Sequence, residues 1–109
     1  FKAEIAATPN ARAKGLMFRR ELAPDAGMLF DFFQPQPVTM WMKNTLIPLD
    51  MLFIMDDGRI ANLAERTVPG SLTPIPADEP VRFVLELNGG TAARLGLKAG
   101  DRVVKGLPK

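Results

Sequence analysis

The sequence predicts a mostly β domain: a small antiparallel β-sandwich or partly closed barrel of six to seven strands with one or two short helices. Three observations lead there. Short apolar runs recur along the chain, several of them alternating with polar residues. The connections between them are short and punctuated by proline and glycine. The two helical stretches are too short to cover a ferredoxin-like sheet, so consecutive strands in an antiparallel arrangement remain. Residues 1–109 carry no linker, repeat or low-complexity segment and read as a single domain.

Lys2 to Ala6 alternates weakly and predicts a first strand. Thr8-Pro9-Asn10 is a helix start, with Thr8 as N-cap and Pro9 in the first turn. That helix is predicted over Pro9 to Met17, with Ala13, Leu16 and Met17 facing the core and Gly15 in its last turn. Pro24-Asp25-Ala26-Gly27 is a turn. Met28 to Phe33 is apolar enough for a strand covered on both faces. Gln34-Pro35-Gln36-Pro37 ends it, since each proline lacks a ladder donor.

Val38 to Met42 predicts a third strand, with Val38, Met40 and Met42 on one face and Thr39, Trp41 and Lys43 on the other. Lys43-Asn44-Thr45 turns the chain, and Pro48 precedes a fourth strand, Leu49 to Met55. Asp56-Asp57-Gly58 signals a hairpin to a returning strand over Arg59 to Val68. Pro69 to Pro80 is a proline-rich loop. Val81 to Leu87 is a strand with Val81, Phe83, Leu85 and Leu87 inward. Thr91 to Leu95 forms a short helix closed by Gly96, and Arg102 to Lys105 a last strand.

Composition narrows the chemistry. Hydrophobic residues make up 47 %, with seven phenylalanines, so a core can form without disulfides or metal. There is no cysteine, histidine or tyrosine. That removes thiolate nucleophiles, Cys-ligated zinc and the usual neutral-pH general base. Ser71 has no histidine to activate it, and nothing in the spacing supports a serine–lysine pair. The formal charge of +2 is spread out, with Arg19-Arg20 followed by Glu21 and Lys98, Arg102 and Lys105 bracketing Asp101. No nucleic-acid arm or polybasic membrane patch results. Leu49 to Met55 is far short of the ~20 apolar residues that span a bilayer, so no transmembrane segment is expected. A first residue of Phe1 suggests a processed or trimmed chain, with any export signal upstream.

Val38 to Met55 is the most chemically loaded stretch. It sets the single tryptophan between two methionines, passes through a polar corner and enters an apolar run interrupted by Asp50. One reading makes the corner a polar cleft beside Trp41, lined by Arg19, Lys43, Asn44, Asp50 and Glu86. It would bind a small polar or anionic molecule, a glycan or a peptide end, with the indole as stacking plate and no cofactor. The competing reading makes Lys43-Asn44-Thr45 a turn that satisfies its own backbone.

Asp50 and Glu86 are the carboxylates most embedded in apolar strand sequence. If they converge at roughly 5–10 Å, they form an acid/base or nucleophile pair of the hydrolase kind. If not, each serves as a brace, accepting backbone N–H bonds or pairing with Arg19 or Arg82. Met40 and Met42, with Trp41 between them, admit a soft-metal module for Cu(I), but six methionines in a β domain are more often core filler.

Gly15-Leu16-Met17-x-Arg19, Gly27-Met28-Leu29-Phe30, Trp41-Met42-Lys43-Asn44-Thr45-x-Ile47-Pro48-Leu49-Asp50, and Val84-Leu85-Glu86-Leu87 with Gly90 and Gly100-Asp101 occur in that order. Over nearly the whole chain this pattern resembles the bacterial and archaeal family known as domain of unknown function 192. The resemblance implies a compact, mostly β domain, no established activity, and a periplasmic or exported setting behind an export signal or lipid anchor. It also implies that Met17, Arg19, Gly27, Met28, Trp41, Met42, Lys43, Asn44, Thr45, Asp50 and Glu86 are the family's motif positions. The chain departs from the pattern at Leu72 to Pro76, where the family leads one to expect an aromatic such as tyrosine.

Overall fold

The computed structural model describes residues 1–103 and 106–108. Its elements run β1 (Lys2–Ala6), α1 (Pro9–Lys14), β2 (Ala26–Gln36), β3 (Thr39–Met40), β4 (Leu49–Ile54), β5 (Ile60–Ala64), β6 (Ile75–Pro76), β7 (Val81–Asn88) and α2 (Thr91–Leu95). Five strands form one sheet in the order β1-β2-β7-β4-β5, and β3 pairs with β6 in a separate two-stranded sheet. The fold is therefore mostly β and sandwich-like, with two short helices, and the sheet does not close into a barrel.

One pairing departs from the antiparallel expectation. β1 runs parallel to β2, with Lys2 opposite Ala26 and Ala6 opposite Phe30. A parallel pair needs a crossover, and α1 supplies it. The helix begins as predicted, with the Thr8 hydroxyl accepting from the Ala11 N–H at 3.1 Å and Pro9 in the first turn. It ends sooner than predicted. Gly15 at φ +49° closes it, and no residue of the helix is buried. Leu16, just past the end, is buried instead, Met17 is half-buried and Ala13 is exposed.

β7 lies at the centre of the sheet with both its edges paired, and it has buried residues on both faces. Gly27, Leu29 and Asp31 of β2 stand opposite Leu87, Leu85 and Phe83, and Asp50, Leu52 and Ile54 of β4 opposite Leu87, Leu85 and Phe83. Because side chains alternate along a strand, these residues share one face of the sheet. Met28, Phe30, Met51, Phe53, Val84 and Glu86 share the other. The first face packs Leu29, Leu52, Ile54, Phe83 and Leu87 with the C-terminal Leu97, Val103 and Leu107. The second packs its apolar residues with Leu16, Val38 and Met42, which come from the segments around α1 and β3.

Gly27 shows how closely β2 and β7 approach. A Cβ there would stand 2.7 Å from the Glu86 carbonyl oxygen and 2.8 Å from Leu87 Cδ2, so any side chain would force the two strands to shift.

β2 continues past Phe33, where the sequence predicts its end. The ladder breaks between Asp31 and Gln36 and resumes with Gln36 opposite Val81. Phe33 at φ +70° turns the backbone out, and Pro35 falls within the irregular stretch, where no ladder donor is required. Asp31 holds the irregularity: its carboxylate accepts from the Phe33 N–H at 2.8 Å and pairs with the Arg82 guanidinium at 3.0 and 3.1 Å.

The third strand is shorter than predicted, Thr39–Met40, yet its alternation holds, with Val38 and Met42 buried and Trp41 exposed. The returning strand stops at Ala64, because Arg66 adopts φ +47° and Thr67 folds back to Leu49. Within the predicted proline-rich loop, Ile75–Pro76 pairs with β3. Of the predicted last strand, Arg102 forms an isolated antiparallel bridge with Arg59, and Val104 and Lys105 lie outside the described residues.

Candidate functional site

The register decides where the two embedded carboxylates go. Glu86 sits between Met28 and Met51, while Asp50 precedes Met51 by one residue on β4. Neighbouring residues on a strand point to opposite faces, so Asp50 and Glu86 are on opposite sides of the sheet. An acid/base pair of the hydrolase kind needs both groups in one cleft. This geometry excludes it.

Asp50 is a brace. It is fully buried, and both its oxygens are taken by backbone donors: Arg66 N–H at 2.9 Å and Gly90 N–H at 3.1 Å on Oδ1, and Ala92 N–H at 2.7 Å on Oδ2. One side chain thereby ties β4 to the turn after β5 and to the start of α2, which has no side-chain cap of its own. Thr67 acts in the same way: its hydroxyl donates to Leu49 O at 2.9 Å and accepts from Leu49 N–H at 3.2 Å. The Met42 sulfur is 3.1 Å from that hydroxyl and fully buried, so it is core and not available as a metal ligand beside Met40.

Glu86 is different. Its carboxyl lies on the floor of a pocket of about 260 Å³ on the other face of the sheet. It is only 3 % exposed. No donor among the described residues reaches it, and its oxygens open into the pocket rather than into sealed core. Burial alone pushes its pKa up, to about 8.

The pocket walls are apolar and soft: Leu16 and Met17 after α1, Phe30 and Phe32 on β2, and Met40 on β3. Gly15 lets the wall approach, since a Cβ there would stand 3.0 Å from Phe30 Cζ. Cations and the indole also line it. The Lys43 ammonium lies over the Trp41 ring, 5.2 Å from its centroid, and Trp41 is 48 % exposed. Arg12 donates to Ala7 O at 2.8 Å and Asp31 O at 3.1 Å and lies over Phe32.

Of the predicted cleft residues, the pocket brings together Trp41, Lys43 and Glu86. Asp50 is excluded by the sheet itself. Arg19 points elsewhere, in a two-pronged pair with Glu4 that holds the Glu4 carboxyl below its ordinary pKa. Asn44 serves the corner through its backbone: at φ +56° it makes the left-handed turn, and its carbonyl accepts from Phe18 N–H at 2.8 Å. Arg12, Lys14 and Thr39 line the pocket without having been singled out. Arg12 and Lys14 sit on a helix with no buried face, which periodicity cannot place against a site.

The pocket and the brace both fall on the motif positions. Over residues 1–105 the chain matches the family profile DUF192, described as an uncharacterized ACR. The chain belongs to the DUF192 family. Among solved structures it is similar to a protein of Sinorhizobium meliloti 1021 described as a putative transcription regulator. That protein is 57 % identical, with a TM-score of 0.89 over 92 % of this chain and 78 % of the other. It is also similar to a protein of unknown function from Novosphingobium aromaticivorans DSM 12444. Here identity is 51 % and the TM-score 0.91, over 94 % of this chain and 73 % of the other. No curated protein matches the chain. In this DUF192 chain Asp50 and Met42 are fully buried frame residues, whereas Trp41, Lys43, Thr45 and Glu86 line the pocket.

Proposed function

We propose that this DUF192 domain is a small-ligand binding module whose site is the pocket between Glu86, Trp41 and Lys43. The observation that carries the reading is the Glu86 carboxyl, which sits on a largely buried residue, accepts no hydrogen bond from a described residue and lines the pocket. Burial in the central strand disfavours the charged carboxylate, and the pocket is the side from which its oxygens can take a partner. A donor group on a ligand can occupy that side. The exposed indole and the Lys43 ammonium provide contact area and charge for the rest of the molecule. At about 260 Å³ the pocket is below the ~300–1,000 Å³ of typical drug-sized sites, which favours a compact polar molecule, one sugar unit or a peptide end.

A nucleic-acid partner is less well supported, because Arg19, Arg82, Lys98 and Arg102 are each paired with a carboxylate. An extracytoplasmic setting belongs to the same proposal. It rests on the export signal or anchor implied by the family pattern, and fractionation of the full-length protein in its host tests it.

The direct test of binding is an NMR screen of a broad metabolite and oligosaccharide library, followed through the amides of Met17, Trp41 and Glu86. The expected result is a class of compounds that shifts these signals together. If they stay in place throughout the library, the binding-module reading fails.

A further inference from the structure

The charges around the pocket are separated. The carboxyl lies on the floor, flanked on its own strand register by Met28 and Met51, and the cations Arg12, Lys14 and Lys43 come from α1 and the corner after β3. No hydrogen bond or ion pair joins the Glu86 carboxyl to these cations: Lys43 lies over the Trp41 ring, and Arg12 donates to Ala7 O and Asp31 O. The lining also includes Leu16, Met17, Phe30 and Met40, which carry no charge. A ligand that satisfies the whole lining must itself be bipolar.

We propose that the pocket takes a compact amino-carboxylate, whose ammonium reaches the Glu86 carboxyl and whose carboxylate meets Lys43, with an apolar spacer against Met17 and Met40. This rests on the binding-module reading and names the ligand class of the same site. The orientation follows from charge complementarity. A carboxylate–ammonium hydrogen bond is roughly twice as strong as a neutral one. An anion pointed inward would have only a single carboxyl O–H to meet it and would leave Lys43 unused. With the ammonium inward, the Glu86 proton leaves for solvent as the ligand enters, and no covalent bond is made or broken.

The probes are the straight-chain series from glycine to 6-aminohexanoate, with n-butylamine and pentanoate as half-ligands. Binding is followed by the same NMR amides and by calorimetry in two buffers of different ionisation heat at pH 7. The expected result is binding that passes through an optimum in chain length and releases close to one proton. Each half-ligand should bind at least tenfold more weakly, and Glu86→Gln should lose at least tenfold toward the best amino-carboxylate. Lys43→Gln should lose affinity for the amino-carboxylate but not for n-butylamine.

Equal or tighter binding of pentanoate, proton uptake instead of release, or undiminished affinity of Glu86→Gln would each overturn the proposal. If no member of the series binds while other compounds in the broad screen shift the pocket signals, this ligand class is wrong and the binding module stands. If nothing shifts them, both readings fall.

Discussion

Replacing Glu86 with glutamine tests whether its carboxyl is held uncharged by burial. Glutamine has nearly the same shape and cannot ionise. In the unfolded chain the Glu86 carboxyl titrates near its ordinary 4.5, and in the folded domain near 8. Its folded pKa is raised, so between those values the folded state holds a proton that the unfolded state has lost, and stability falls as pH rises. Each pH unit costs about 1.4 kcal/mol, which amounts to about 3 kcal/mol by pH 7 and about 5 kcal/mol above pH 8. The side chain is almost wholly buried, so solvent screening reduces this little. Other carboxylates are common to both proteins and cancel in the comparison. Urea unfolding of wild type and Glu86→Gln at half-unit steps from pH 5 to 9 is the assay. The two stabilities should nearly coincide at pH 5 and separate by several kcal/mol at pH 8.5, with glutamine the more stable. Parallel curves, or a Glu86 carboxyl ¹³C signal that titrates below pH 5, would refute the reasoning.

Three further substitutions separate brace from site. Asp50→Ala strands three backbone N–H groups, and urea unfolding should show a loss of roughly 3–5 kcal/mol, partly restored in Asp50→Asn. Gly27→Ala should cost about 1–3 kcal/mol by the same measurement, because its Cβ meets the β7 backbone. Arg19→Ala breaks only a partly exposed pair with Glu4, so stability should change by less than ~1 kcal/mol and ligand-induced shifts at Trp41 should persist.

Where most strands lie along the chain was legible in the sequence, because proline and glycine punctuate them and alternation marks their faces. Their order in the sheet, β1-β2-β7-β4-β5, is not the consecutive one expected. Val38, Met42 and Trp41 fall on the sides that alternation assigns them, though the ladder itself covers only Thr39–Met40. The parallel β1 was not legible. Nothing in Lys2–Ala6 states its direction, and the crossover helix is shorter than those that usually announce one. Nor was the extension of β2, because a proline that ends a ladder and a proline inside an irregular stretch look alike in sequence. Asp50 and Glu86 are both buried, as their apolar context suggested, but so is Asp31, whose equally apolar run was not singled out for it. Which of Asp50 and Glu86 is saturated and which is open depends on sheet register, a long-range property.

α1 has no buried residue, yet it and the residues that follow it furnish one wall of the pocket. The floor, by contrast, is set in the central strand of the sheet. Changes at the exposed positions of α1 can therefore alter the wall without disturbing the packing on which folding depends, while any change at the floor is felt by the core. Such a division lets one scaffold diversify what it recognises through a single peripheral segment. It also makes the exposed Ala13 and Lys14 the natural place to graft new specificity, with the single tryptophan as a built-in optical reporter of occupancy.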